Sequence, residues 1–214
     1  MKKLFREPAS GFSHLFGALL SVLALVVLLY IAISNRNPWQ IVSFSIYGGS
    51  MILLYGVSAG YHLYNGSQKV IDVLRKLDHS MIFVLIAGCY TPFCLTILKG
   101  ALGYTILSLA WTVAIVGIVL KTIYINRIPR FIYTGIYLVM GWISVAAIVP
   151  LFNRTGWGLI IWLLVGGLFY TIGAVIYGFK KPNLIPNWLG FHEIFHIFTL
   201  LGSASHFWAI LKYC

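Results

Sequence analysis

The chain has 214 residues, of which 60% are hydrophobic and only 9% are charged. Because soluble domains carry about 25% charged residues, this composition excludes an ordinary soluble domain and indicates an integral membrane protein. The net charge of +11 would suit a nucleic-acid-binding protein, but the lysines and arginines stand in short gaps between apolar runs. Membrane topology explains that distribution, so we expect no nucleic-acid partner.

Seven apolar segments follow one another along the chain, each of about 20 residues and therefore long enough to cross a bilayer as a helix. We predict an all-α integral membrane protein, with one seven-helix domain over residues 1–214. The first segment follows a basic start and resembles a signal peptide, but no cleavage pattern follows it, so we expect a retained helix. The expected spans are approximately 13–33, 41–64, 79–98, 103–124, 131–151, 157–178 and 190–211.

The basic residues predict the orientation of these spans. Of the fifteen lysines and arginines, the gaps on one side contain only four, namely Arg36, Lys99, Arg154 and Lys212. The positive-inside rule therefore places the N-terminus in the cytoplasm and the C-terminus outside. With this topology, most of the histidines fall at one depth, in the cytoplasmic leaflet. Ionisable side chains at such a depth are costly and indicate a functional site.

Three of these histidines form the main candidate site. His192 and His196 are four residues apart and share one face of a helix, and His62 lies at the same depth on the second span. Three imidazole nitrogens leave a fourth tetrahedral position for water, which is the pattern of a catalytic zinc site. The alternative is that these side chains reach the membrane interface or hydrogen-bond backbone carbonyls without a metal.

Asp78 and Ser58 are candidate partners of that site. Asp78 could hold an activated water and accept its proton, or it could be the N-cap or first-turn acid of the third span. Ser58 precedes His62 by four residues and shares its face. Its hydroxyl could donate to a substrate oxygen or to the water, or it could bond back to the carbonyl of Leu54.

Three further ionisable residues fit simpler roles. Glu193 points about 100° away from His192 on a helix, so we interpret it as an interfacial residue or the partner of a basic loop. The same angle separates His79 from Asp78, which makes His79 only a spare ligand candidate. His206 is interpreted as a satisfied buried imidazole.

At these residues the chain resembles the hemolysin III family of bacteria, within the larger progestin and adipoQ receptor group. The first matching patch runs from Glu7 to His14 and includes Ser13, although Ser10 stands where the family usually has Asn. The other patches are Ser58 to His62 with Lys76 to Ser80, and His192 to His196. Together with the seven spans, the resemblance covers nearly the whole chain.

The resemblance implies a multi-pass protein of the bacterial plasma membrane with a Zn²⁺ site. By that likeness His62, His192 and His196 would bind zinc, Asp78 would contact the metal through water, and Ser58 would line the same site. It implies a zinc hydrolase acting on the amide or ester bond of a membrane lipid, as in ceramidase-like relatives. The alternatives are a pore-forming cytolysin, the activity that gives the family its name, and a non-catalytic lipid sensor in membrane homeostasis.

Overall fold

A computed structural model of the protein describes residues 4–124, 127–185 and 189–214. Lys2 and Lys3, two of the basic residues used for the orientation, lie outside the described residues. Within the described ranges every regular element is helical. The helices are α1 (Pro8–Ser34), α2 (Pro38–Leu63), α3 (Gln68–Pro92), α4 (Ala101–Tyr124), α5 (Arg130–Trp142), α6 (Ile148–Thr155), α7 (Trp157–Phe179) and α8 (Phe191–Tyr213).

Two of the spans are built from more than one helical segment. α3 continues through a π-helical turn, Phe93–Ile97, and α5 joins α6 through a 3₁₀ turn, Ile143–Ala147. Counted in this way, the described residues contain seven helical segments that are long and apolar enough to cross a membrane. The predicted seven-helix fold is confirmed, and the orientation of the termini stays a prediction.

The third span differs from the sequence expectation at its start. The polar stretch before residue 79 was expected to be a loop, but α3 begins at Gln68 and follows Ser67 as its N-cap. Apolar residues recur there at helical spacing, at Val70, Leu74 and Leu77, so this stretch is an amphipathic helical extension. The alternative that Asp78 is the N-cap or first-turn acid of the third span is therefore wrong, because Asp78 lies about three turns inside the helix.

α1 contacts the bundle through a narrow stripe on one face, while its other faces expose apolar side chains. An added Cβ at Gly17 would lie 2.5 Å from the Leu200 side chain and 3.2 Å from the Tyr55 ring. A larger residue would therefore push α1 away from α2 and α8. Most residues of the buried stripe are small, and the full set is Ser10, Gly11, His14, Gly17, Ser21, Leu28 and Ala32.

Tyr55 joins the two helices that contain the three histidines. Its hydroxyl lies 3.2 Å from the carbonyl oxygen of Thr199 and 2.5 Å from the hydroxyl of Ser203. Tyr55 on α2 is fully buried, and both partners lie on α8. These hydrogen bonds fix α2 against α8 within about two turns of His62 and His196.

Candidate metal centre

Two helices bring the three histidines together at one end of the bundle. One ring nitrogen from each of His62, His192 and His196 lies within 4.8 Å of the corresponding nitrogen of the other two. His62 and His196 are buried, whereas His192 is partly exposed. The ring centroids are 4.6 to 5.0 Å apart. Side chains separated by more than a hundred residues in sequence therefore converge on one point.

Glu7 orients the ring of His62. Its carboxylate oxygen lies 2.5 Å from Nδ1 of His62, and its backbone N–H donates to the carbonyl oxygen of His62 at 2.9 Å. The hydrogen bond between the Glu7 carboxylate and the His62 ring lowers the pKa of the Glu7 carboxyl group. A carboxylate that accepts from Nδ1 leaves the Nε2 lone pair of the neutral ring directed toward the other two histidines.

The backbone carbonyl group of Ser10 orients the ring of His196. The carbonyl oxygen of Ser10 lies 3.2 Å from Nδ1 of His196. Because a carbonyl only accepts, Nδ1 must carry the hydrogen and Nε2 is the free nitrogen. The hydroxyl of Ser13 donates to the same carbonyl at 2.8 Å and lies 3.4 Å from Nδ1. Ser13, a residue of the first motif, therefore supports the site from outside the ligand group.

These donors could hold a metal ion. Zinc–nitrogen bonds of 2.0–2.1 Å in a tetrahedral site place two ligand nitrogens about 3.3 Å apart. The Nε2 atoms of His62 and His192 are 3.2 Å apart. A zinc-binding histidine usually donates its other ring N–H to a carboxylate or a carbonyl oxygen. Two of the three rings, those of His62 and His196, make such a hydrogen bond. The group could hold a metal through three imidazoles, a donor set suited to zinc, and leave a fourth position open.

Asp78 and Ser58 both lie beside this group. Ser58 is buried one turn before His62 on α2, and its side chain lies next to the carboxylate of Asp78. Asp78 is itself buried on α3 and lies within electrostatic range of His62. The structure thus brings together a carboxylate, a hydroxyl and three imidazoles, and the roles assigned to Asp78 and Ser58 stay predictions.

His14 lies against the group but is not part of it. Its ring stacks on that of His196, with the centroids 3.5 Å apart and the planes 8° apart, and contacts the edge of Tyr55. Both ring nitrogens of His14 are buried without a hydrogen-bond partner in the described part of the chain. His14 therefore packs behind His196 and fixes its ring plane.

Glu193 has a partner that the sequence did not suggest. Its carboxylate accepts from the hydroxyl of Ser10 at 2.7 Å and from the backbone N–H of Gly190 at 3.0 Å. It therefore joins α8 to α1 instead of contacting a basic loop. In the sequence, the only indication that Ser10 makes an unusual contact was the family resemblance, because Ser10 stands where the family usually has Asn.

The two other histidines lie outside the ligand group. Nδ1 of His79 lies 2.8 Å from the carbonyl oxygen of Arg75, and its Nε2 lies 3.3 Å from the hydroxyl of Tyr177. His206 contacts the carbonyl oxygen of Leu163 through Nε2, while its buried Nδ1 has no partner among the described residues. The expectation that His206 is satisfied therefore holds for one of its two nitrogens.

Two cavities meet at the candidate centre. A largely apolar cavity of about 200 Å³ runs from the histidines into the bundle, past residues such as Leu85, Ile106 and Ile148. A wider and more polar pocket of about 600 Å³, here called the vestibule, opens on the other side of the histidines and is lined by Lys121 and Arg130 among others. The residues that line both are Asp78, His79, Thr134, Tyr137, Tyr177 and His192.

Comparisons with known proteins give a consistent assignment. A family model described as haemolysin-III related matches residues 2–207. The chain is 44% identical over 209 residues to a protein named hemolysin-3 homolog from Bacillus subtilis, covering 97% of this chain and 94% of the relative. It is 41% identical over 208 residues to hemolysin-3 of Bacillus cereus, covering 97% and 91%. It is also 26% identical over 213 residues to human monocyte to macrophage differentiation factor, covering 98% and 84%.

Proposed function

The chain belongs to the haemolysin-III related family of multi-pass membrane proteins, and on that premise we propose that it is a zinc-dependent lipid hydrolase. The proposed zinc ligands are His62, His192 and His196, and the substrate is a membrane lipid with an amide or ester bond. We further propose that the protein resides in the bacterial plasma membrane with its N-terminus in the cytoplasm, as the distribution of basic residues predicts.

One observation carries this proposal: the histidines lie where an apolar cavity meets a polar vestibule. A lipid has the same division, with an apolar chain next to a polar headgroup and the amide or ester bond between them. A lipid chain in the cavity would therefore bring its carbonyl group to the junction where His192 and Asp78 lie. An apolar cavity with a few convergent polar groups is the usual form of a small-molecule site.

The remaining chemistry follows from the residues at that junction. A bound zinc ion would supply a Lewis acid that polarises the carbonyl group and makes water more acidic. The Asp78 carboxylate is the base that takes the proton of the attacking water and later gives it to the leaving amine or alcohol. Ser58 first orients Asp78. Once Asp78 carries a proton, the Ser58 hydroxyl hydrogen is free to donate to the oxyanion.

The test uses the Asp78→Asn variant of the purified protein in a screen of amide and ester lipids. We expect the loss of lipid hydrolysis with zinc content unchanged, because the amide is not basic and Asp78 is not a ligand. Asp72→Asn is the matched control, since Asp72 is a half-exposed acid on the same helix that contacts Gln68 and Arg75. Hydrolysis that survives in Asp78→Asn would contradict the assigned role.

A second candidate function is the formation of membrane pores. The observation that favours it is the name hemolysin-3 of the Bacillus cereus relative, which is 41% identical to this chain. A dye-leakage assay with reconstituted liposomes separates the two functions. Leakage that persists when all three histidines are replaced would assign lysis to a different part of the protein. A lipid that binds the wild-type protein and is never cleaved would instead favour the third alternative, a lipid sensor.

A further inference from the structure

Lys121 is a buried lysine that faces the vestibule. It is only 6% exposed, and it is the only buried lysine among the residues that the structure describes. Its ammonium nitrogen lies 3.7 Å from the ring centroid of Tyr133. In the described ranges the three ion pairs involve other cations, so Lys121 has no carboxylate partner within 4 Å.

This arrangement differs from that of a lysine whose only role is to set the orientation of the protein in the membrane. Lysines with that role extend along the apolar surface and keep the ammonium group in water, as exposed Lys69 and Lys180 can do. The Lys121 side chain is buried up to its ammonium group, which reaches the vestibule, and loss of water around an unpaired charge is unfavourable. The Tyr133 ring and the C-terminal end of α4 stabilise the charge in part, and an anion in the vestibule would complete its coordination.

Arg130 provides a second cation on the same pocket. Its guanidinium carbon lies 4.4 Å from the ring centroid of Tyr177 and 5.6 Å from that of Phe191. Stacking of this kind fixes the guanidinium plane and leaves the N–H groups at its edge available to an acceptor. Among the described residues no carboxylate pairs with Arg130. Lys121 and Arg130 are close enough to repel each other, which a shared anion would relieve.

The acidic side chains of the vestibule are already engaged elsewhere. Glu7 contacts His62, Glu193 bonds to Ser10 and Gly190, and Asp78 lies beside Ser58 and His62. Asp78 lies within electrostatic range of Lys121, but among the described residues no acid forms an ion pair within 4 Å with Lys121 or Arg130. The vestibule thus has its acids on the side of the histidines and, on its other side, two cations without an ion-pair partner among the described residues.

We propose that Lys121 and Arg130 form a binding site for a phosphate-type anionic headgroup, so that the substrate is an anionic lipid. This inference rests on the proposed function, because it assigns the vestibule to the headgroup and the apolar cavity to the chain of the same molecule. The bond to be cleaved would then lie between them, at Asp78 and His192. Charge-assisted hydrogen bonds from a lysine and an arginine are the usual means of binding a phosphate.

The test measures binding to the detergent-solubilised full chain by calorimetry. The probes are dihexanoyl phosphatidate, dihexanoyl glycerol as the uncharged analogue with the same chains, and inorganic phosphate. We expect wild type to bind the phosphatidate at least about tenfold more tightly than either other probe, and Lys121→Gln to lose most of that preference. Arg130→Gln should weaken phosphatidate binding similarly, and Lys121→Arg should retain it.

Arg127→Gln is the matched control, because Arg127 lies three residues before Arg130, in the α4–α5 connection, but does not line the vestibule. A loss of affinity in Arg127→Gln equal to that in Arg130→Gln would indicate only surface charge and overturn the proposal. Equal affinity for the charged and uncharged lipids would also overturn it. If inorganic phosphate bound as tightly as the phosphatidate, the ligand would be a free anion and the lipid assignment would be wrong.

The same experiment separates this inference from the proposed function. Binding does not need turnover, so it is measured in Asp78→Asn as well as in wild type. If wild type shows a Lys121-dependent preference for phosphatidate but cleaves no lipid, the result would support the headgroup site and contradict the hydrolase. Lipid hydrolysis without any preference for a charged headgroup would support the hydrolase and overturn the headgroup site.

Discussion

Replacement of Glu7 tests how the site is held together. The Glu7 carboxylate contacts Nδ1 of His62 at 2.5 Å, while the Glu7 backbone N–H independently donates to the His62 carbonyl oxygen. Glu7→Ala therefore removes the carboxylate but leaves the chain docked on α2. Loss of a carboxylate that orients a metal-binding histidine lowers metal affinity by about 10- to 100-fold. Because the Glu7 side chain is 46% exposed, solvent screens the interaction, and we expect a loss near the lower limit, about tenfold.

Competition with a zinc chelator measures this affinity on the purified protein. Glu7→Gln should fall between wild type and Glu7→Ala, because the amide oxygen still accepts from Nδ1 but has no charge. Asp72→Asn removes a comparable half-exposed acid that contacts Gln68 and Arg75 and does not line the vestibule, so it should leave zinc affinity unchanged. Equal zinc affinities in wild type and Glu7→Ala would refute the conclusion that Glu7 orients His62.

The remaining predictions concern neighbouring features of the structure. Gly17→Val should lower the free energy of unfolding by about 1–3 kcal/mol, because the valine side chain would meet Leu200 and Tyr55. Thermal unfolding measures this change. Gly56→Ala is the neutral control, because an added Cβ at Gly56 meets nothing within 4 Å. His14→Phe should retain zinc at the wild-type stoichiometry, because His14 stacks on His196 without belonging to the ligand group; metal analysis that shows zinc loss in a folded variant would make His14 a ligand. Zinc affinity should fall as the pH is lowered, since protons compete for the ligand nitrogens and metal binding releases them; a chelator titration that is flat between pH 8 and about pH 5.5 would argue against imidazole ligands.

Much of the fold could be predicted because a bilayer sets the length and polarity of each span. The same constraint made the histidine group predictable, since the spacing of His192 and His196 and the depth of His62 both follow from helical spans. The start of α3 was missed because an amphipathic helix outside the apolar layer has low average hydropathy. That error left the capping role of Asp78 open until the structure placed it inside the helix.

Other features depend on helix rotation and packing, which hydropathy does not determine. Whether Lys121 faces lipid, water or the vestibule depends on the rotation of α4, so its burial could not be read from the sequence. The hydrogen bond between Ser10 and Glu193, and the stacking of His14 on His196, both need α1 to approach α8 closely. Gly17 allows that approach, but glycines are common in membrane helices and do not identify their partners.

The central claim is that imidazoles from α2 and α8 hold one zinc ion. Elemental analysis of purified protein from zinc-supplemented cells tests it most directly, with wild type compared with the His62→Ala, His192→Ala, His196→Ala triple variant. His206→Ala is the matched control, because His206 lies on α8 outside the ligand group. We predict about one zinc per chain in wild type and in His206→Ala, and close to none in a monodisperse triple variant. One zinc per chain in the triple variant, or none in wild type, would contradict the account.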